Sequence, residues 1–154
     1  MITYSDYYKS PFGMIKIITS DTAVLGIDFT DGKGSSREDS PVIMKETIKQ
    51  LDEYFGGKRK NFSLKVELQG TDFQKRVWNA MSKIPYGKTA SYKDLAVMAG
   101  KPKAARAVGG ACHRNPIGIV LPCHRVIGSD GSLTGFGGGL DLKEKLLNHE
   151  KNHS

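Results

Sequence analysis

The 154-residue sequence predicts an α/β (α+β) chain in two parts: a small antiparallel sheet with one helix over residues 1–70, and a mostly helical part with a helix-turn-helix over residues 71–154. Three observations predict it. Apolar residues alternate with a period of two in the first part, they recur at helical spacing in the second, and the charge balance changes near Gly70.

In the first part, residues 14–19 read as a strand. The alternation of Ala23, Leu25, Ile27 and Phe29 reads as another, and that of Phe62, Leu64, Val66 and Leu68 as a third. Between them, Ser40-Pro41 offers an N-cap followed by a proline at the first helical position. Met44, Ile48, Leu51 and Phe55 then form an apolar stripe, and Gly56-Gly57 closes the helix. Nothing in this part suggests chemistry.

In the second part, Phe73, Val77, Met81 and Ile84 mark an amphipathic helix that stops at Pro85-Tyr86-Gly87. Ser91 caps the next helix, with Asp94 as its capping-box partner and Leu95 and Met98 as core positions. Gly100-Lys101-Pro102 breaks it, and a third helix follows over residues 103–113. Segment 91–113 therefore has the helix, tight turn and helix of a DNA-binding motif, a pattern shared with helix pairs that bind nothing.

The third helix carries Ala104-Ala105-Arg106-Ala107-Val108-Gly109-Gly110-Ala111. Interior glycine costs about 1 kcal/mol relative to alanine, so something should offset Gly109 and Gly110. Close packing against a neighbouring helix is one explanation. The other is the minor groove of DNA, about 6 Å wide, which favours a helix trimmed of bulk over an ordinary one about 10 Å across.

Charge bears on this choice. Residues 71–125 carry ten Lys/Arg against two Asp/Glu, whereas residues 1–70 carry ten of each and residues 126–154 three against four. The whole excess of +7 lies in the middle segment, as in an electrostatic footprint for a polyanion or in a solvated basic surface. No apolar run approaches the roughly 20 residues that span a bilayer, and no basic-then-apolar leader opens the chain. The expected location is the cytoplasm, where both cysteines should be thiols.

Cys-His-Arg occurs twice. Cys112 follows Ala105 and Val108 at i, i+3, i+7 on the apolar face of the third helix, and reads as a buried structural thiol. Cys123 follows an apolar run, residues 117–121, that reads as a buried strand, and Pro122 fixes the backbone before it. A thiol beside His124 and Arg125 in an apolar wall should have a stabilised thiolate, the attacking species. Neighbours on an extended chain point to opposite sides, so a water should bridge Cys123 to His124. Leu142, Leu146 and Glu150 recur at i, i+4, i+8 on the last helix. Glu150 is then either a buried carboxylate that orients His124 or an exposed residue near a fraying end. The two Cys-His pairs do not match zinc-ligand spacing, and neither a metal nor another cofactor is expected.

Pro122-Cys123-His124-Arg125-Val126 resembles the active-site signature of the 6-O-alkylguanine-DNA alkyltransferases. The stretch 102–111, Asn115-Pro116, Gly138-Gly139-Leu140 and His149-Glu150 resemble the family's other segments in order and spacing. The clear resemblance covers residues 71–151. It implies a ribonuclease H-like N-terminal domain, a winged-helix-like C-terminal domain, and stoichiometric transfer of an alkyl group from a flipped base to Cys123. It further implies that His124 is the base through a water, that Glu150 orients His124, and that Tyr92 supplies a proton to the leaving guanine.

Arg106 would be the finger that enters the base stack, with Ala105, Ala107, Gly109, Gly110 and Ser91 at the double-stranded DNA. Asn115 would tie the third helix to the Cys loop, and Val126, Phe136, Gly137 and Gly138 would line the pocket. Phe136 replaces a tyrosine, Gly137 a serine of some relatives, and Gly118 a proline, which implies a roomier pocket. Residues 1–70 lack Cys and His, so the zinc of some relatives is not expected. The resemblance implies a monomer acting on alkylated guanine, and by extension on 4-O-alkylthymine. A helix-turn-helix regulator without transfer chemistry would explain the charge but not Cys123, and a cysteine hydrolase the thiol but not the basic helices.

Overall fold

In the computed structural model, which describes residues 2–32, 34, 39–133 and 139–154, the first of two units comprises Met1–Leu68 and Pro116–Gly118. Its sheet has β2 (Gly13–Thr19) in the centre, with β1 (Tyr4–Ser10) and β3 (Val24–Thr30) antiparallel on either side. Ile15 and Ile17 of β2 are fully buried, and α1 (Val42–Phe55) packs on all three strands through Met44, Leu51, Tyr54 and Phe55.

β1 carries no apolar alternation, because Asp6 and Ser10 are its buried positions. Asp6 also redirects Ser40. The Ser40 hydroxyl donates to Asp6 Oδ2 at 3.0 Å, leaving Pro41 as the N-cap of α1 with no side-chain cap bond. Leaving a buried carboxylate short of donors would cost more than the roughly 1 kcal/mol of a cap. Ile48, expected in the stripe of α1, is only half-buried.

The β2–β3 register shifts between Ile18 and Thr19, so Leu25 has no opposite partner. Val24 and Ile27, rather than Leu25 and Phe29, become the buried pair. Segment 62–68 alternates half-buried apolar with exposed polar residues as the sequence predicts, but it is not a strand. It pairs with β3 only at Val24 and Val66. The Gln50 amide replaces part of the ladder, bonding both the nitrogen and the oxygen of Ser63. The expected strand at 117–121 does not form either. Ile117, Gly118 and Leu121 make isolated bridges instead, that of Ile117 being to Ile27, flanked by backbone bonds from Ile27 N to Pro116 O and from Gly118 N to Ile27 O.

The second unit, Gln69–Asn115 and Ile119–Ser154, is helical. Thr71 and Gln74 form a capping box that opens α2 (Asp72–Met81), which ends before the buried Ile84. Ser91 and Asp94 form a second box, opening α3 (Tyr92–Met98). Met98 is 46% exposed and not a core residue; Leu95 and Ala99, one turn apart, hold the inward positions. α4 (Ala105–His113) begins two residues later than predicted, capped by Ala104 without a side-chain bond. α3 and α4 pack together, and the Trp78 indole of α2 donates to Ala111 O at 2.9 Å. Two short parallel strands, β4 (Ala90–Ser91) and β5 (Val126–Ile127), fix the start of α3 beside the end of the Cys123 turn. α5 (Leu140–Asn152) closes the unit.

Candidate active site

Cys123, His124 and Arg125 form one turn of 3-10 helix, not an extended segment. Pro122 lacks an N–H and caps the turn, with Cys123 N donating to Leu121 O at 2.8 Å and Arg125 N to Pro122 O at 2.9 Å. Upstream, Ile119 is buried at φ 70°, a conformation that costs a β-branched residue of order 1–3 kcal/mol. The Asn115 amide, just past α4, donates to Leu121 O at 2.8 Å and holds the peptide that enters the turn. Successive side chains in a 3-10 helix diverge by about 120°, so Cys123 is half-buried while His124 is fully buried and Arg125 nearly so.

His124 and Arg125 are organised around Glu150, which is fully buried rather than exposed. His124 Nε2 lies 2.6 Å from Glu150 Oε2. Arg125 Nε donates to Oε1 at 2.8 Å and Nη2 to Oε2 at 3.1 Å, and Gly87 N completes the set on Oε1 at 3.3 Å. The third guanidinium nitrogen, Nη1, donates to Ile84 O at 2.7 Å. Burial alone would raise the Glu150 pKa, but the hydrogen bonds and charges of His124 and Arg125 pull it well below the ordinary carboxylate range. Glu150 is therefore an anion at neutral pH.

For His124, burial dominates and lowers its pKa; Glu150 opposes this, while Arg125 and Lys143 reinforce it. The neutral ring directs Nε2–H to Glu150, which leaves Nδ1 as the nitrogen with the lone pair. Nδ1 is buried with no hydrogen-bond partner among the described residues.

Lys143 is the residue that pattern reading misses. It is fully buried on α5, and its ammonium donates to Val126 O, 5.9 Å from the centroid of the Tyr92 ring. Burial lowers its pKa, while its electrostatic attraction to Cys123 and Cys112 raises it. The signal was present, because Lys143, Leu146 and Glu150 lie at i, i+3, i+7 on one helix face. Cys112 lies buried on α4, its thiol pushed up to about 12 by burial and by Cys123. An acidity so weak makes it the inert thiol of the two.

α4 presents two faces. Val108, Ala111 and Cys112 point inward and Ala105 is half-buried, whereas Arg106, Ala107, Gly110 and His113 are exposed. A methyl group added to Gly109 would meet the Tyr92 ring at 3.7 Å, an ordinary contact, and one added to Gly110 would meet no described atom within 4 Å. Packing within the unit therefore requires neither glycine. Ser91 spends its hydroxyl on the Asp94 N–H. Phe136, Gly137 and Gly138 lie outside the described residues. Among those described, no group of three or more His, Cys, Asp or Glu could hold a metal ion, and no helix is long and apolar enough to cross a membrane.

Two family models match the chain: 6-O-methylguanine DNA methyltransferase, DNA binding domain, over residues 72–152, and its ribonuclease-like domain over residues 3–68. A methylated-DNA–protein-cysteine methyltransferase of Methanosarcina barkeri is 48% identical, covering 97% of this chain and 98% of that one. One from Haemophilus influenzae is 41% identical, covering 96% and 86%. Among solved structures, the Mycobacterium tuberculosis O6-methylguanine methyltransferase superposes with a TM-score of 0.89 at 38% identity, covering 99% of this chain and 95% of that one. The M. tuberculosis OGT in complex with DNA gives 0.88 at 40% identity, covering 97% and 94%.

Proposed function

Because the chain belongs to the 6-O-methylguanine DNA methyltransferase family, its reaction is DNA repair by transfer of an alkyl group from DNA to a protein cysteine, and we propose that Cys123 is that cysteine. The observation that carries the assignment is the buried His124–Glu150 pair beside a half-buried thiol, against an inert thiol at Cys112. Glu150 fixes the tautomer, and Nδ1 of His124 accepts the Cys123 proton through an intervening water. The divergence of side chains in the 3-10 turn, not an extended backbone, makes that bridge natural. The thiolate attacks the alkyl carbon, an S–C bond forms as the O6–C bond breaks, and the electron pair leaves on the guanine. Tyr92 returns a proton to the departing base, with the Lys143 ammonium near its ring. No cofactor takes part.

The target base reaches Cys123 by flipping from a duplex that α4 enters through the minor groove, with Arg106 in the vacated place. Ala105, Ala107, Gly109, Gly110 and Ser91 lie along the DNA, and Asn115, Val126, Phe136, Gly137 and Gly138 serve the pocket. Both Gly109 and Gly110 have room for a methyl group, so their cost is offset outside the chain. Gly110→Ala is accordingly expected to raise the unfolding free energy by about 1 kcal/mol and yet weaken binding to a duplex with 6-O-methylguanine. Urea denaturation and fluorescence anisotropy check the two halves; unchanged affinity would place the groove elsewhere. One copy carries every group this chemistry uses, and neither cysteine is in a disulfide, which suits a monomer in the reducing cytoplasm.

Incubation with 6-O-methylguanine DNA, trypsin digestion and mass spectrometry test the assignment directly. Arg114 separates the two thiols. The peptide of residues 115–125 should gain one methylene while that of residues 107–114 stays unmodified; the reverse pattern, or none, refutes it.

A further inference from the structure

The bond pattern at Glu150 differs from a simple carboxylate–imidazole pair, because each oxygen also receives Arg125. Oε2 is shared between His124 at 2.6 Å and Arg125 Nη2 at 3.1 Å, and Oε1 between Arg125 Nε at 2.8 Å and Gly87 N at 3.3 Å. The guanidinium cannot swing away. Its remaining nitrogen is held by Ile84 O at 2.7 Å, the Tyr86 ring lies 5.6 Å from its central carbon, and the side chain is nearly buried.

We propose that Arg125 is a positioning residue of the transfer site: by engaging both oxygens of Glu150 it divides the carboxylate between two cations, and so sets the lower pH limit at which His124 works as a base. The proposal rests on the reading of His124 as the base for Cys123. An imidazole facing an undivided buried carboxylate is held in its charged form and cannot take another proton. With a permanent cation on the same carboxylate, that attraction is partly offset, and burial then keeps the ring neutral. The other charged group that acts on His124 among the described residues is Lys143, which comes with Glu150 from α5. Lys143 acts in the same direction as Arg125. It donates to Val126 O and not to Glu150, so it orients nothing in the pair.

Arg125→Gln removes the charge and leaves His124 alone with the carboxylate. A neighbouring charge moves a titration by about one to three units, so losing the like charge of Arg125 should raise the His124 midpoint by roughly 1–2 pH units. Two readouts in the full-length chain follow it. The first is the imidazole nitrogen signal of His124 by NMR from pH 5 to 8. The second is the single-turnover rate of methyl transfer from a 6-O-methylguanine duplex over the same range. The acid limb of the rate should move upward with the NMR midpoint.

A merely structural arginine would lower stability and leave both midpoints in place, which overturns the proposal. A shifted NMR midpoint with an unmoved acid limb overturns the link from Arg125 to transfer. If Arg125→Gln does not fold, Arg125→Lys keeps the charge but reaches one oxygen only, and should move both readouts upward by less; no movement counts against the proposal. A wild-type chain that leaves Cys123 unmodified instead defeats the underlying reading, and the NMR midpoint then still reports on Arg125 alone.

Discussion

Glu150→Ala should lower the unfolding free energy by about 3–5 kcal/mol, the cost of removing one partner from a buried ion pair. The size follows from what is stranded. Arg125 keeps Ile84 O and the Tyr86 ring, His124 Nε2 loses its acceptor, and Gly87 N loses its bond, all inside a packed unit. Glu150→Gln preserves the shape and should cost less, because an amide oxygen still accepts from Arg125. Denaturant midpoints at pH 7 check the order of the two variants. A loss under 1 kcal/mol for the alanine variant would mean that the network does not hold the second unit together.

The pH dependence has a definite sign. Burial places the folded His124 below its ordinary value of about 6.5, so the unfolded chain binds that proton first and stability falls as pH drops through about 6.5. The folded Glu150 also titrates below its unfolded value of about 4.3. Its contribution is therefore complete above that value and is lost as pH falls toward the depressed folded value. Glu150→Ala should abolish the second loss, giving a shallower decline below about pH 4.3.

What the sequence discloses about this site follows the range of the interactions involved. Capping and helix spacing are local, so the Ser91–Asp94 box, the inward thiol of Cys112 and the stripe that carries Glu150 could all be read directly. Arg125 as second partner of Glu150 is a pairing across 25 residues, and no periodicity encodes it. Lys143 was legible at i, i+3, i+7 but was masked by the expectation that lysine faces water. In the first unit, β1 has no apolar alternation to read because its buried face is Asp6 and Ser10, and Ser40 serves that carboxylate instead of capping α1. Apolar alternation likewise suggested strands at 62–68 and 117–121. It reports burial on one side of a chain and does not count ladder bonds, and both segments make isolated bridges in place of a ladder. The 3-10 turn at Cys123 is set by Pro122 and by Asn115 reaching Leu121 O, a side-chain contact outside any helical or strand period.

Cys123→Ala should reduce methyl transfer to background while affinity for the lesion-containing duplex stays within about threefold. Both halves follow from placement. The thiol sulfur is the only atom of the proposed mechanism that bonds to the methyl carbon, whereas the exposed face of α4 lies outside the turn and keeps its shape when one half-buried sulfur is removed. A helix-turn-helix regulator would keep its whole function in this variant. A cysteine hydrolase would lose activity as this chain does, but its wild type would form far more product than protein. Here wild-type transfer should stop at one methyl per chain. A thioester has a carbonyl that water attacks, but a methyl thioether has only an sp3 carbon and a poor leaving group, so nothing in the site restores the thiol. The added methyl also enlarges a side chain fixed between buried Pro122 and His124, and overpacking of that kind costs about 1–3 kcal/mol. The methylated protein should therefore unfold at lower urea concentration than the free thiol form, and an equal or higher midpoint would show that the turn has room for the product.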